Sequence, residues 1–177
     1  MSRLMLCGLM AGVILCSSAP VRADDAEDKA VAFVRELSGE VTRDEKAPGK
    51  PVIEVNLFGS EGTDAGLKEL AALKSLTTLT LHFTKVTDAG LKELAALKNL
   101  TTLNLDDTQV TDAGLKELAT LQKLTTLNLQ STKVTDAGLK ELATLKNLTD
   151  LDLSFTKVTD AGLKDLQKAL PKCFILK

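Results

Sequence analysis

The chain has 177 residues, of which 44% are hydrophobic, 26% are charged and only 3% are aromatic. Its formal net charge of −2 and its dispersed lysines predict no electrostatic footprint for nucleic acid or for an anionic membrane. The sequence also holds no glycine-rich phosphate loop and no cysteines or histidines at metal-ligand spacing, so we expect neither a cofactor nor a metal.

Residues 1–23 have the pattern of a secretory signal peptide. Arg3 supplies a positive start, and positions 4–16 form an apolar stretch that is too short to span a bilayer, which takes roughly 20 residues. Val21 and Ala23 place small residues at the −3 and −1 positions of a signal-peptidase site. We therefore predict an exported protein, periplasmic or extracellular, without membrane insertion after this segment is removed.

Two other interpretations of this segment are disfavoured. Cleavage after Ala19 would leave proline as the first mature residue, and a lipid on Cys16 would follow a bulky leucine. Cleavage after position 23 also removes Cys7 and leaves Cys173 alone, so no internal disulfide is possible. Near the end of a repeat array such a thiol is more often a buried apolar residue, and an intermolecular disulfide is the alternative.

Residues 24–51 are expected to form an N-terminal cap that covers the open end of the repeats. Positions 27–37 favour an amphipathic helix, and positions 40–44 favour a weak strand before a proline- and glycine-containing turn. Terminal units of a repeat array must differ from the others to remain soluble. The apolar face of the predicted helix consists of Ala30, Phe33, Val34 and Leu37.

A 24-residue repeat dominates residues 52–177. The segment 52–57 supplies a first strand, and positions 170–177 close the array with a final short strand. Alternation as in Leu103-Asn104-Leu105 predicts a strand with one buried face. The complete units are 62–85, 86–109, 110–133 and 134–157, followed by a shortened unit at 158–177.

The second half of each unit predicts a short helix. Thr111 or Asp112 caps its first turn, and the acidic side chain complements the positive end of the helix. Glycine costs about 1 kcal/mol within a helix, so Gly114 suggests close packing of helix against strand. The buried stripe is Leu115, Leu118 and Leu121.

One strand and one helix cannot bury their apolar faces alone, so the units must stack. Strands lie about 4.8 Å apart, whereas packed helices need about 8–10 Å. The helices must therefore fan outward. We predict an α/β solenoid, a horseshoe with a concave parallel β-sheet and helices on the convex side.

The motif L-x-x-L-x-L-x-x-T followed by V-T-D-A-G-L-K-E-L resembles leucine-rich repeats over residues 52–177. It is most similar to the cysteine-containing subtype, which occurs in F-box proteins, and to arrays in exported bacterial proteins, notably of planctomycetes. Here threonine replaces the cysteine, the unit is shorter than in that subtype, and no F-box precedes the array. The resemblance implies a binding scaffold, and no ubiquitin-ligase role. The replacing residues are Thr84, Thr108, Thr132 and Thr156, whose hydroxyls are expected to satisfy loop backbone groups.

Differences between the repeats are concentrated after each strand. Fifteen of 24 positions are identical in all four complete units, whereas one position holds His82, Asp106, Gln130 and Ser154. Strand alternation places these side chains on the concave face. The divergence either reflects adaptation to a protein or envelope ligand or is simple drift, with the phenylalanines folded onto loops. The ligand-binding candidates are Phe58, His82, Phe83, Asp106, Asp107, Gln130, Asp152 and Phe155.

The predicted face is small. Six strands of about 17 Å, spaced by about 4.8 Å, give on the order of 400 Å², against about 800 Å² per partner in a standard interface. Binding is therefore expected to be weak, or to recruit the helix face or oligomerisation as well.

Catalytic and metal-binding interpretations are disfavoured. His82 and Asp106 lie about 5 Å apart on adjacent strands. They form either an acid–base pair or a surface hydrogen bond, but no serine or cysteine is placed as a nucleophile. The pairs Asp106-Asp107 and Asp150/Asp152 lie about 9.6 Å apart, too far to share a calcium ion, so we predict solvated acids. A binding module is thus preferred to a passive envelope component, and both to a hydrolase.

Overall fold

The computed structural model describes residues 23–61 and 64–177, and the predicted signal peptide lies outside these residues except for Ala23. Within them six helices and seven strands follow one another along the chain. The elements are α1 (Ala23–Glu36), β1 (Glu40–Arg43), β2 (Val52–Asn56), α2 (Asp64–Leu70), β3 (Thr78–Thr80), α3 (Asp88–Leu94), β4 (Thr102–Asn104), α4 (Asp112–Leu118), β5 (Thr126–Asn128), α5 (Leu139–Leu142), β6 (Asp150–Asp152), α6 (Asp160–Ala169) and β7 (Phe174–Leu176).

The seven strands form one open sheet in the order in which they occur along the chain. Strands β2 to β7 are parallel, and each is in register with the same position of the next unit, as in the pairing of Leu79 with Leu103. Strand β1 is antiparallel to β2 and lies at the edge of the sheet. The predicted α/β solenoid is confirmed.

The interior is one continuous core built from equivalent residues of successive units. Leu79, Leu103, Leu127 and Leu151 are all at most 2% exposed, and the apolar stripes of the helices are buried with them. Helix α1 corresponds to the predicted amphipathic helix, and it adds Ala30 and Val34 to this core. Full burial of each leucine side chain stabilises the fold by roughly 1.5–3 kcal/mol, so stacking supplies the stability that a single unit lacks.

A ladder of carboxylates connects neighbouring units on the helical side. Thr87 caps α3, since its Oγ1 accepts a hydrogen bond from the backbone N–H of Ala89. The same threonine donates its backbone N–H and its hydroxyl to Oδ1 and Oδ2 of Asp64, at 2.8 Å and 2.6 Å. The threonine cap was predicted, but the aspartate link was not. The link recurs in the pairs Asp88–Thr111, Asp112–Thr135 and Asp136–Thr159.

Gly114 was predicted to allow close packing of its helix against a strand, but the element that it approaches is the preceding helix. A Cβ built on Gly114 would lie 2.9 Å from Cδ1 of Leu91 and would also collide with the carboxylate of Asp88, both in the preceding helix. The aspartate that reaches across to the next unit occupies the space over this glycine. The residue therefore permits close helix–helix packing.

The threonines that follow the strands have the predicted structural role. Thr84 is buried, and its hydroxyl donates to the carbonyl oxygen of Leu81 at 2.7 Å. This bond closes the turn after the strand, because the carbonyl would otherwise be buried without a partner. Equivalent bonds are made by Thr108, Thr132 and Thr156.

Cys173 is buried at the C-terminal end of the core, with 4% of its surface exposed. Burial, reinforced by the nearby carboxylate of Asp150, raises the pKa of its thiol to about 11. This position agrees with the interpretation of Cys173 as a buried apolar residue.

The aspartate ladder predicts a stability difference between two equivalent residues. Asp112→Ala removes both acceptors for Thr135 and is expected to lower the free energy of unfolding by about 1.5–3 kcal/mol. Asp160→Ala is the matched control, because Asp160 also begins a helix but contacts only Lys177, on the surface. Its expected loss is below about 1 kcal/mol. Equal losses in urea denaturation would contradict the ladder.

The Gly114→Ala substitution is expected to change the free energy of unfolding, and the sign of the change tests the close approach of the preceding helix. Helix propensity alone would make alanine more stable by about 1 kcal/mol. The collision with the preceding helix is instead expected to destabilise the chain by about 1–3 kcal/mol, as overpacking does. Urea denaturation of the wild-type and variant chains measures it, and a stabilised variant would show that the helices do not approach so closely.

The raised pKa of Cys173 predicts a slow thiol. At pH 8 Cys173 is expected to react with a disulfide reagent at least about tenfold more slowly in the folded chain than in the urea-unfolded chain, because thiolate is the reactive species. Equal rates, or a disulfide-linked dimer on a non-reducing gel, would show that the thiol is accessible.

The strand face as a candidate binding surface

Alternate residues of each strand point away from the core, and we call this side of the sheet the strand face. It consists of rows of equivalent residues that follow the parallel register. The first row is Glu54, Thr78, Thr102, Thr126, Asp150 and Phe174, and the second row is Asn56, Thr80, Asn104, Asn128, Asp152 and Leu176.

The variable residues form a third row, as alignment of the repeats predicts. Backbone bonding between units continues beyond the strands, with the N–H of Phe83 donating to the carbonyl of Asp106 at 3.1 Å and that of Asp107 to Gln130 at 3.1 Å. Neighbouring chains therefore remain paired at this level. The third row is Phe58, His82, Asp106, Gln130 and Ser154.

The next position turns out of the sheet, which strand alternation alone does not predict. Phe83, Asp107, Ser131 and Phe155 have φ values of 57°, 50°, 56° and 58°, in the left-handed region. Alternation would have directed these side chains toward the core. The left-handed turn instead leaves Phe83 and Phe155 exposed at the rim of the strand face, one position beyond Phe58.

The second row contributes to the structure of the turn as well as to the surface. Oδ1 of Asn104 accepts the backbone N–H of Asp106 at 2.9 Å, and Asp152 accepts that of Ser154 at 2.8 Å. A short polar side chain that bonds the backbone two residues later stabilises such turns. One carboxylate oxygen of the candidate residue Asp152 therefore accepts a hydrogen bond from the turn, and the other is left to bind a ligand.

An aromatic cluster formed by Phe58, His82 and Phe83 lies at the N-terminal part of the strand face. The ring centroids of His82 and Phe83 are 4.1 Å apart, and Phe58 lies 5.2 Å from His82 and 6.0 Å from Phe83. Phe58 and Phe83 are nevertheless 61% and 53% exposed. The two phenylalanines contact each other and a neighbouring strand, yet most of their surface remains open to a partner.

The side chains of His82 and Asp106 contact each other on the strand face. Nδ1 of His82 lies 3.1 Å from Oδ2 of Asp106, and Nε2 of His82 is closed from solvent without a hydrogen-bond partner. Asp106 is only 6% exposed, and its carboxylate faces His82 rather than water. The prediction that Asp106 is a solvated acid is therefore wrong. Burial raises the pKa of Asp106, repulsion from Asp107 and Asp152 adds to this, and His82 opposes it.

Two apolar residues of the strand face were missed by sequence reasoning. Phe174 and Leu176 lie beside Asp150 and Asp152 at the C-terminal end, and they are 66% and 47% exposed. Alternation through Phe174-Ile175-Leu176 contains this signal, because the inward-facing Ile175 continues the leucine position of the other strands. With Phe155, these residues add apolar surface beside the carboxylates of Asp150 and Asp152 at the C-terminal end of the face.

No group of three or more His, Cys, Asp or Glu side chains in residues 23–61 and 64–177 is arranged to hold a metal ion. Over the same part of the chain, none of the helices combines the length and the apolar character that crossing a bilayer requires.

The solved structures to which this chain is similar include two leucine-rich-repeat proteins. An internalin, InlF from Listeria monocytogenes, is 27% identical with a TM-score of 0.55, and the match covers 63% of this chain and 31% of the internalin. The chain thus spans less than a third of that protein. The ectodomain of the receptor kinase SOBIR1 from Arabidopsis thaliana, 16% identical with a TM-score of 0.54, covers 86% of this chain and is itself 91% covered. At that identity the likeness concerns the fold alone.

No curated protein matches the chain. The family model described as Leucine Rich repeat matches residues 72–95, 96–119, 120–143 and 144–166, which is more than half of the chain. These four consecutive matches have the period of the stacked strands and helices. The chain therefore belongs to the leucine-rich repeat family.

Proposed function

We propose that this chain is a non-enzymatic interaction scaffold that binds a protein or envelope component through its strand face. Leucine-rich-repeat proteins generally act as protein-interaction scaffolds, which supports the general class. The observation that carries the proposal is the exposure of Phe58, Phe83 and Phe155 on or at the rim of the face where the repeats differ. Exposed aromatic side chains are frequent anchors in protein interfaces.

The helical side of the repeats offers a contrast. Its residues are almost identical in all four units, and many of them contact the next unit through the aspartate ladder and the leucine core. Their constancy follows from packing. Apart from the buried Asp106, the third row and the rim lie outside these contacts between units. Phe83 packs against His82 and Phe58, yet 53% of it stays exposed.

We further propose that the protein is exported and that its repeats derive from the cysteine-containing subtype. The charged start, the short apolar stretch and the small residues before position 24 support export. The Thr-Asp pair and the following leucine in each unit support the subtype.

Replacement of the exposed phenylalanines tests the proposed function. Phe58→Ser, Phe83→Ser and Phe155→Ser are expected to weaken capture of the partner from an envelope extract at least about tenfold, since each phenylalanine side chain buried in an interface contributes roughly 1.5–3 kcal/mol. Ser131 already occupies the rim position of another unit with a φ of 56°, so serine is compatible with the turn at positions 83 and 155.

The matched control replaces Lys68, Lys92 and Lys116 by alanine, three exposed residues on the outer helices. Quantitative mass spectrometry compares the prey of wild-type, phenylalanine and lysine variants. Prey that is insensitive to the phenylalanine changes, or equally sensitive to the lysine changes, would favour a passive envelope component over a strand-face binder.

A further inference from the structure

The charges of the strand face all have one sign. In the antiparallel pair at its edge, Val41 faces the core with Val55, so Glu40 lies on the open side beside Asn56 and Glu54. No lysine or arginine occupies any position of the three rows, the rim or the open side of β1. The carboxylates there are Glu40, Glu54, Asp106, Asp107, Asp150 and Asp152.

The outer helices show that this asymmetry is not a matter of composition. The whole chain has 22 basic and 24 acidic residues, so the two signs are nearly balanced. Each outer helix carries a lysine followed by an acidic residue at the same two positions, as in Lys92-Glu93 and Lys116-Glu117. The helix side is therefore mixed in charge, and the excess of negative charge belongs to the sheet.

The carboxylates on the face are not neutralised within the described chain. Of the described ion pairs, the one on the strand face joins Asp106 to His82, and no lysine or arginine nitrogen lies within 4.0 Å of Asp107, Asp150 or Asp152. Burial, and then repulsion from Asp107 and Asp152, raises the pKa of Asp106, so these acids act on one another across two units. Opposite charge from outside would relieve this repulsion.

Apolar surface lies beside the charge at both ends of the face. The aromatic cluster adjoins Asp107 at one end. At the other, a recess of about 250 Å³ is lined by Asp150, Asp152, Phe174 and Leu176. A lysine or arginine side chain has the matching character, an apolar stem that packs on Phe174 and Leu176 and a cationic head that reaches the carboxylates. A hard divalent cation lacks the stem, and calcium needs six to eight oxygen ligands.

We propose that the partner is a cationic polypeptide segment that lies across the strands, an inference that rests on the proposed function. Its basic side chains pair with Asp107, Asp150 and Asp152, and an apolar residue contacts the aromatic cluster. Five strand steps of about 4.8 Å separate β2 from β7, a span of about 24 Å, which an extended segment covers with about seven or eight residues at about 3.3 Å each. Attraction over this distance also compensates for the small area of the face.

Synthetic decapeptides test the charge preference with the whole chain. One alternates lysine and serine after an N-terminal tryptophan, a second has glutamate in place of lysine, and a third has glycine. By calorimetry the lysine peptide is expected to bind at least about tenfold more tightly than the other two, and to weaken as salt rises from about 0.05 to about 0.2 M. Equal binding of the glutamate or glycine peptide would overturn the proposal.

Isosteric neutralisation locates the site. Asp107→Asn, Asp150→Asn and Asp152→Asn together are expected to weaken the lysine peptide about three- to tenfold. The fold tolerates these changes, since asparagine occupies the Asp152 position in two other units and suits the left-handed φ at position 107. The control Glu69→Gln, Glu93→Gln and Glu117→Gln removes the same charge from the outer helices, and equal weakening there would refute a strand-face site.

The envelope partner separates this proposal from the one on which it rests. Capture that is lost in the phenylalanine variant but retained in the asparagine variant would refute the cationic segment and leave the strand-face scaffold standing. Capture that is lost in both variants supports both proposals. Capture unchanged in both variants would refute both proposals.

Discussion

Neighbouring repeats are held in register by an aspartate of one unit, which accepts both the backbone N–H and the hydroxyl of the threonine that precedes the equivalent aspartate of the next unit. The carboxylate and the leucine stripes act together, because the leucines supply the apolar burial and the directional bonds decide which residues meet. Each unit is thus completed by its successor. This constraint explains why the residues of the segment that pack or bond between units recur without change. They are Thr111, Asp112, Gly114, Leu115 and Leu118.

The same constraint leaves the strand face free to vary. Its side chains point away from the contacts that join one unit to the next, so a substitution there changes surface chemistry without loss of register. The threonine ladder and the side chains of Asn104, Asn128 and Asp152 hold the turn after each strand in place. The proposed recognition residues on the rim are consequently presented by a turn that these bonds hold in place, which would lower the entropy lost on binding.

The face combines two kinds of chemistry. Apolar side chains are gathered at its ends, in the aromatic cluster and around Phe174 and Leu176, while carboxylates are spread between and beside them. Asp106 differs from the other carboxylates, because it is buried and is paired with His82. Such a surface suits a ligand that is itself amphipathic. Its limited area makes long-range electrostatic attraction more important than it is in a large interface.

The sequence by itself determined the period, the alternation of strand and helix, the parallel stacking, the leucine core and the threonine ladder, since all of these are encoded in local spacing within one unit. It also placed His82, Asp106 and Gln130 in one row. Only the tertiary structure decided the aspartate links, the close packing of the preceding helix on Gly114, the burial of Asp106 and the outward turn of Phe83. The links, the packing and the burial depend on contacts between residues about 24 positions apart. The outward turn of Phe83 depends on a backbone angle that strand periodicity does not specify.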